Sequence, residues 1–254
     1  MPDNTAHVQV PAADQTLRIL GLLARQRGPV AASMIATQLE IARSSVYHLL
    51  ATLEEHGFVV HIASERRWGL GTAAFELAGG YTRQQPLARL GRTLVAALAD
   101  RTGESAHLAV MTGRDVLYIV EERAPRRPAL ITDVGVRLPA HLTATGRAML
   151  AALPREQVRA LYPDTASFAD RTGRGPRTPR ELRELLRATR RQGYATEDGE
   201  VTLGLRSMGV AVSDHTAWPI AAIAVTYPDD TTKDTTELAS IIGASADELS
   251  RRIR

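Results

Sequence analysis

The chain has 254 residues, 44% hydrophobic and 23% charged, which excludes wholesale disorder and points to one large or two modest domains. It has no cysteine, which rules out disulfides, thiolate metal sites, iron–sulfur clusters and a cysteine nucleophile. The net charge is +3, but Lys233 is the sole lysine among 31 basic residues, so any single arginine says little. Residues 1–80 carry six arginines against seven acidic residues, so DNA binding by this half would need local placement of charge and no global positive field. The start, MPDNTAHVQVPAADQ, lacks the basic and apolar regions of a signal peptide, and no run of 18 apolar residues occurs. A cytoplasmic protein with no membrane partner is expected.

Residues 1–13 read as a flexible tail. Leu17, Leu20, Leu23 and Ala24 then recur at helical spacing and predict a helix over about 14–26, stopped by Gly28-Pro29. A second helix is expected over 31–39, with Met34, Ile35 and Leu39 on its apolar side. After the turn Glu40-Ile41-Ala42, a third helix is expected over 43–55, carrying Val46, Leu49, Leu50 and Leu53. Phe58–Ile62 and Arg67–Leu70 read as a hairpin. Thr72 caps a further helix over about 73–85, which Pro86 breaks or kinks, and Leu87, Leu90, Leu94, Ala97 and Leu98 mark another helix after it. Beyond Gly103, strands are expected at 105–112, 116–122, 129–134, 206–213 and 219–226. Helices are expected at 144–153, 155–161, 179–192 and 234–252, with 164–178 as a loop.

Three helices followed by a hairpin have the layout of a winged helix-turn-helix. At about 100° per residue, Val46, Leu49, Leu50 and Leu53 share one side of the third helix, while Ser44, His48, Ala51 and Glu55 fall opposite. Small or hydrogen-bonding residues on the outward face suit base reading in a major groove. Arg43, Ser45 and Tyr47 are placed to contact phosphates, and Arg66 and Arg67 sit at the tip of the wing. A trihelical bundle with an ordinary solvated face fits the same pattern.

The segments TLRILGLLA, IATQLEIARSSVYHLLATLEEHGFV and RRWGLG resemble the IclR family of bacterial transcriptional regulators. The resemblance continues through GESAHLAV, LPAHLTATGRAMLAALP and RQGYATEDGEVTLGLRSMGVAVSDHTAWPIAAIAVTYP, so it spans about 16–250. It implies an α/β (α+β) protein. A winged helix-turn-helix (14–71) and a linker or dimerisation helix (72–85) would precede a GAF- or profilin-like effector-binding domain with a central antiparallel sheet (86–254). It also implies double-stranded operator DNA, a small organic-acid effector and a homodimer or dimer of dimers as partners. Two departures stand out: Glu40 where the family often has glycine in the turn, and His48 where it often has arginine in the reading helix.

The resemblance further places an effector pocket around Thr143, Ala144, Thr145 and Gly146, where a helix N-terminus would receive a carboxylate, with Met149 beside it. Glu197 matches a family acidic pocket residue. Ser207 stands for a frequent cysteine, and Ala224 and Thr226 stand for frequent serines. Other motifs carry less. Gly69-Leu70-Gly71-Thr72-Ala73-Ala74 has glycine spacing suited to dinucleotides but lacks the βαβ setting. The histidines show no metal-ligand spacing, though His141 lies beside the pocket motif. Asp198 and Glu200 read as a solvated acidic turn. No catalytic residues, metal or cofactor are expected. The expected function is an effector-controlled DNA-binding regulator; the alternative is a ligand sensor acting through protein contacts with a degenerate helix-turn-helix.

Overall fold

The structure, a computed structural model, describes residues 10–26, 28–77, 86–125, 127, 130–231 and 233–253. The chain divides into two units, Met1–Gln84 and Gln85–Arg254.

In the first unit, α1 (Pro11–Ala24), α2 (Ala32–Leu39) and α3 (Arg43–Glu55) close around Ile19, Leu22, Ile35, Val46 and Leu50. Proline at the start of α1 supplies a helical φ and needs no N–H partner there. Residues 11–13, expected in the tail, are therefore helical, while residues 1–9 lie outside the described set. Leu17, expected on the core side, is 69% exposed; Ile19 takes that place. Strands β1 (Val59–Ile62) and β2 (Arg67–Leu70) pair antiparallel, Val59 opposite Leu70. Val30 and Trp68 exchange two backbone bonds of 2.9 and 2.8 Å, which fastens the hairpin to the start of α2. Helix continues over 72–77 (α4); the remainder of the helix expected to 85 lies outside the described residues.

Glu40 forms the turn between α2 and α3 in the left-handed region, with φ 55° and ψ 40°. An Arg18 guanidinium N–H donates to Leu39 O at 2.8 Å and satisfies a carbonyl at the end of α2.

The second unit is a six-stranded antiparallel sheet with helices on both faces. Helix α5 (Pro86–Thr102) leads to β3 (Ser105–Thr112), β4 (Asp115–Glu122) and β5 (Arg137–Pro139). Helices α6 (Ala144–Ala152), α7 (Arg155–Leu161) and α8 (Pro179–Gln192) follow. Strands β6 (Ala195–Asp198), β7 (Leu205–Ser213) and β8 (Pro219–Pro228) then precede α9 (Thr235–Ile253). The strand order is β5-β4-β3-β8-β7-β6. Period-two alternation sorts β8: Ile223, Val225 and Tyr227 join the cluster with Val95 and Leu98 of α5 and Ile242 and Leu249 of α9. On the other face, Ala222 packs with Met149 and Leu150 of α6 and with Leu182 and Leu186 of α8. Small residues let α6 lie close to the sheet. A Cβ on Gly209 would stand 3.0 Å from the Ala144 carbonyl carbon.

Two expectations are corrected. Residues 130–134 form no strand; the edge strand is Arg137–Pro139. Strand β6 (Ala195–Asp198) lies in a stretch for which the sequence pattern predicts no element. The expected 164–178 loop contains a 3-10 turn at Thr165–Ser167. Helix α8 follows its signals: the Thr178 side chain accepts from Glu181 N at 3.2 Å, Pro179 opens the helix, and Gly193 ends it with φ 83°.

Glu40→Gly is expected to raise the unfolding midpoint of the first unit, because relief of the left-handed cost exceeds the extra chain entropy by about 0.5–1 kcal/mol. Chemical denaturation checks this; a lowered midpoint would mean the Glu40 side chain holds the turn.

Candidate functional site

The first unit offers a polar helix face beside a basic hairpin tip. In α3, Arg43, Ser44, Tyr47 and His48 are exposed, whereas Ser45 is half-buried. Ala42 provides no side-chain cap and the first turn has no acid, so the leading N–H groups of α3 face outward without a protein acceptor from a cap. The Arg43 guanidinium carbon stands 6.0 Å from the Tyr47 ring centre, so the two side chains share one surface. Arg66 and Arg67 are exposed at the hairpin turn, and Arg66 has φ 53°. Of the two acids near the end of α3, Glu54 accepts from His61 N at 3.2 Å and braces the hairpin; Glu55 is exposed.

In the second unit, a small cavity lies between the sheet and the start of α6. Thr143, Ala144, Glu197, Ser207 and Thr226 line it, five of the residues singled out from sequence. The space within it is about 20 Å³, room for a water molecule but not for an organic acid. A polar chain crosses its floor. The Ser207 hydroxyl donates to Glu197 Oε2 at 2.9 Å and lies 2.9 Å from the Thr226 hydroxyl, while Val201 N donates to Glu197 Oε1 at 3.0 Å. Burial raises the Glu197 carboxyl to about 6 from 4.5; the bonds from Val201 and Ser207 and the charge of Arg147 oppose that rise, and Glu200 adds to it.

Four named residues do not line the cavity. Thr145 is fully buried in α6, and its hydroxyl lies 3.4 Å from that of Thr143. Gly146 has a packing role: its N–H donates to the Thr143 hydroxyl at 3.0 Å, and a Cβ there would sit 2.2 Å from Ala140 O. Its N–H is therefore not free for a ligand. Met149 belongs to the core between α6 and α8, and Ala224 is buried opposite Gly209 in the β7–β8 ladder. That leaves the first-turn N–H groups of Ala144 and Thr145, which have no intrahelical acceptor by their position.

The cavity has further walls that the sequence motifs do not single out, from β3, β4, the segment after β4 and the turn after β6. His107 lines the cavity, buried, with no partner at Nδ1 among the described residues. Burial lowers its pKa to about 4, so it is neutral at physiological pH. Tyr118 lies edge-on to it at 5.0 Å, and burial drives its phenol well above the usual range despite a hydrogen bond with Thr145. Leu130, Ile131 and Thr132 close the cavity from the segment after β4. The alternating pattern of β3 and β4 could have located His107 and Tyr118 on one face. His141 does not reach the cavity. Its Nε2 is 3.0 Å from Ala169 O, and its ring meets Tyr162 and Phe168 edge-on at 5.6 and 5.1 Å.

Residues 12–62 match the IclR helix-turn-helix domain, and residues 79–251 match the bacterial transcriptional regulator IclR C-terminal domain. The chain belongs to the IclR family. Over 245 residues it is 28% identical to the transcriptional repressor IclR of Escherichia coli K12, covering 95% of this chain and 89% of that protein. An IclR regulator from Alicyclobacillus acidocaldarius shares the fold with TM-score 0.85 at 23% identity, over 96% of this chain and 98% of that one. An IclR homolog of Microbacterium hydrocarbonoxydans, solved with 4-hydroxybenzoate, gives TM-score 0.79 at 20% identity, over 96% and 99% of the two chains. Relatives of this IclR-family chain are named as repressors and regulators of transcription, and it is a regulator rather than an enzyme.

Glu197 has a higher pKa folded than unfolded, so the folded state holds its proton more tightly. Its stabilising contribution is full below about pH 4.5 and is lost as pH rises through about 6. The Glu197→Gln variant is expected to lack this loss, worth about 2 kcal/mol, in thermal unfolding measured across that range. Parallel pH profiles for wild type and variant would contradict the assignment.

Proposed function

We propose that this regulator binds double-stranded operator DNA through α3 and the hairpin. Its DNA affinity would be set by a small organic acid, an aromatic hydroxy acid fitting best, held in the second unit. The observation that carries the reading is the Glu197–Ser207–Thr226 chain opening onto the first turn of α6, a buried polar site in an otherwise apolar layer. A carboxylate suits the N–H groups of Ala144 and Thr145, and a ligand hydroxyl suits Glu197 and Ser207 at the other end. The homolog of the same fold that holds 4-hydroxybenzoate supports this ligand class.

The cavity offers only about 20 Å³, so an aromatic acid must displace the segment at 130–132 or the turn at 201–202. Binding thereby selects a different arrangement of the unit, and a difference of about 1–3 kcal/mol between arrangements changes DNA affinity by about 5–150-fold. DNA reading also calls for two copies, because a dimer reads two half-sites. Leu17 and Phe75, 69% and 82% exposed in the first unit, are apolar surface suited to pairing with a second copy. A dimer or dimer of dimers acting in the cytoplasm, with no metal or cofactor, completes the proposal. No helix among the described residues is long and apolar enough to cross a membrane.

Arg43→Ala and Arg66→Ala are expected to weaken binding to specific and random DNA alike, each lowering the salt slope by about one. His48→Ala is expected to cost about 1–3 kcal/mol on the cognate site and less elsewhere. A salt series of binding to DNA upstream of the gene reads both. Absence of DNA binding would favour a sensor acting through protein contacts, a reading to which exposed Glu55 belongs.

For the effector site, 4-hydroxybenzoate is expected to bind more tightly as pH falls from about 8 to about 6, since a bound carboxylate makes Glu197 take up a proton. Calorimetry on wild type, Ser207→Val and Glu197→Gln checks this. Weakened binding in the first variant and a flat pH profile in the second are expected; equal behaviour of all three would place the ligand elsewhere.

A further inference from the structure

A second cleft in the same unit lies between α7 and α8 and is far roomier, about 260 Å³. Each helix gives it one stripe. From α7 and the residue after it come Arg155, Val158, Arg159 and Tyr162, spaced i, i+3, i+4 and i+7. From α8 come Leu182, Arg183, Leu186, Arg187 and Arg190 at the same helical rhythm. The apolar members are buried and form a rigid floor. The five arginines are exposed and form the rim, and no acidic residue lines the cleft.

What sets these arginines apart is convergence: five guanidiniums border one cleft over a shared apolar floor. Some exposed arginines of the unit sit against acids, such as Arg177 on Asp170 at 2.7 Å and Arg252 on Glu248 at 2.7 Å; others, such as Arg89, Arg92 and Arg137, are exposed and scattered singly over the surface. In the cleft, among the described residues, only Arg159 has an acidic partner, Glu156 at a loose 3.9 Å. Arg155, Arg183, Arg187 and Arg190 have none within ion-pair distance. The crowding registers on Arg190. Partial burial, and then the charges of Arg155 and Arg187, lower its pKa. Its head is also fixed, because Nε donates to Ala151 O at 2.6 Å. A guanidinium held this way keeps its remaining N–H groups for a ligand.

We infer that the α7–α8 cleft is a second ligand site, built for a small anion that carries two or more phosphate or carboxylate groups. Converging guanidiniums bind such groups bidentately, and several charges on one ligand neutralise several arginines at once. A concave cleft of this size suits a small molecule better than the extended backbone of a nucleic acid. The site shares no lining residue with the Glu197 cavity, so it would respond to a different signal.

The test uses the full chain, titrated with pyrophosphate and with citrate against sodium chloride at matched ionic strength, by thermal shift and calorimetry. At least one probe is expected to raise the unfolding midpoint and to bind, and the stronger one says whether the site prefers phosphate or carboxylate. Arg183→Gln with Arg187→Gln is expected to lose about tenfold or more in affinity while remaining at least as stable without the anion. Arg155→Gln with Arg159→Gln repeats the test from the facing helix. A shift reproduced by chloride, or variants that bind the probes as wild type does, overturns the inference. So does a result in which the variants loosen DNA binding while neither probe binds, because the cleft would then serve nucleic acid.

Discussion

The second unit depends on one buried cation. Arg147 is 2% exposed, in the middle of α6, yet it is fully engaged. Nε donates to His141 O at 2.8 Å, one terminal nitrogen to Thr196 O at 2.6 Å, and the other to Glu200 Oε1 at 2.8 Å. These contacts tie the 3-10 turn before α6 to strand β6 and to the turn that follows it. A charge this deep costs several kcal/mol unless every donor is satisfied, so the three partners are fixed relative to one another. Glu197, on β6, and Val201 and Thr202, in the turn, are walls of the cavity. Arg147 thus shapes a site it does not line.

The close approach of α6 to the sheet follows from the same economy of space. Gly146 meets the backbone of Ala140, Gly209 meets the backbone of Ala144, and Ala222 and Ala224 keep β8 flat beneath the helix. Larger side chains at these positions would lift the helix and open the cavity permanently. A cavity with room for one water in the unliganded arrangement can instead couple ligand entrance to movement of its walls. That is the physical requirement for an effector to alter anything distant from it.

Much of this was legible in the sequence because the long elements carry strong periodicity. Helices α3 and α8 and strands β3, β4, β7 and β8 announce themselves through spacing, caps and turns. The short edge strands do not. β5 has three residues and ends in proline, while β6 has four residues of which two are acidic, so neither shows a run of alternating apolar residues. Leu130-Ile131-Thr132 looks like a strand by composition but borders the cavity instead, with Leu130 buried and Ile131 exposed and no ladder partner for either among the described residues. In the site, the hydrogen-bonding residues Glu197, Ser207 and Thr226 were readable, whereas Met149, Gly146 and Ala224 look the same in a motif whether they line a cavity or fill a core. Arg147 was hidden in plain view, because an arginine in a helix ordinarily faces solvent.

The electrical character of the cavity explains why a site with a buried acid can still receive an acid. His107 is neutral and adds no positive charge, and burial leaves Glu197 with a pKa near 6. Near that pH the cavity therefore carries about half a negative charge and changes it readily. An incoming carboxylate would push the equilibrium further toward protonated Glu197, which then becomes a hydrogen-bond donor. Recognition in such a site rests on oriented N–H and O–H groups rather than on a fixed opposite charge. The α7–α8 cleft shows the opposite strategy, five cations over an apolar floor with almost no acid between them. A group of weakly hydrated guanidiniums held over a rigid floor selects for ligand charge first and shape second; the inner cavity selects for shape and hydrogen bonding first.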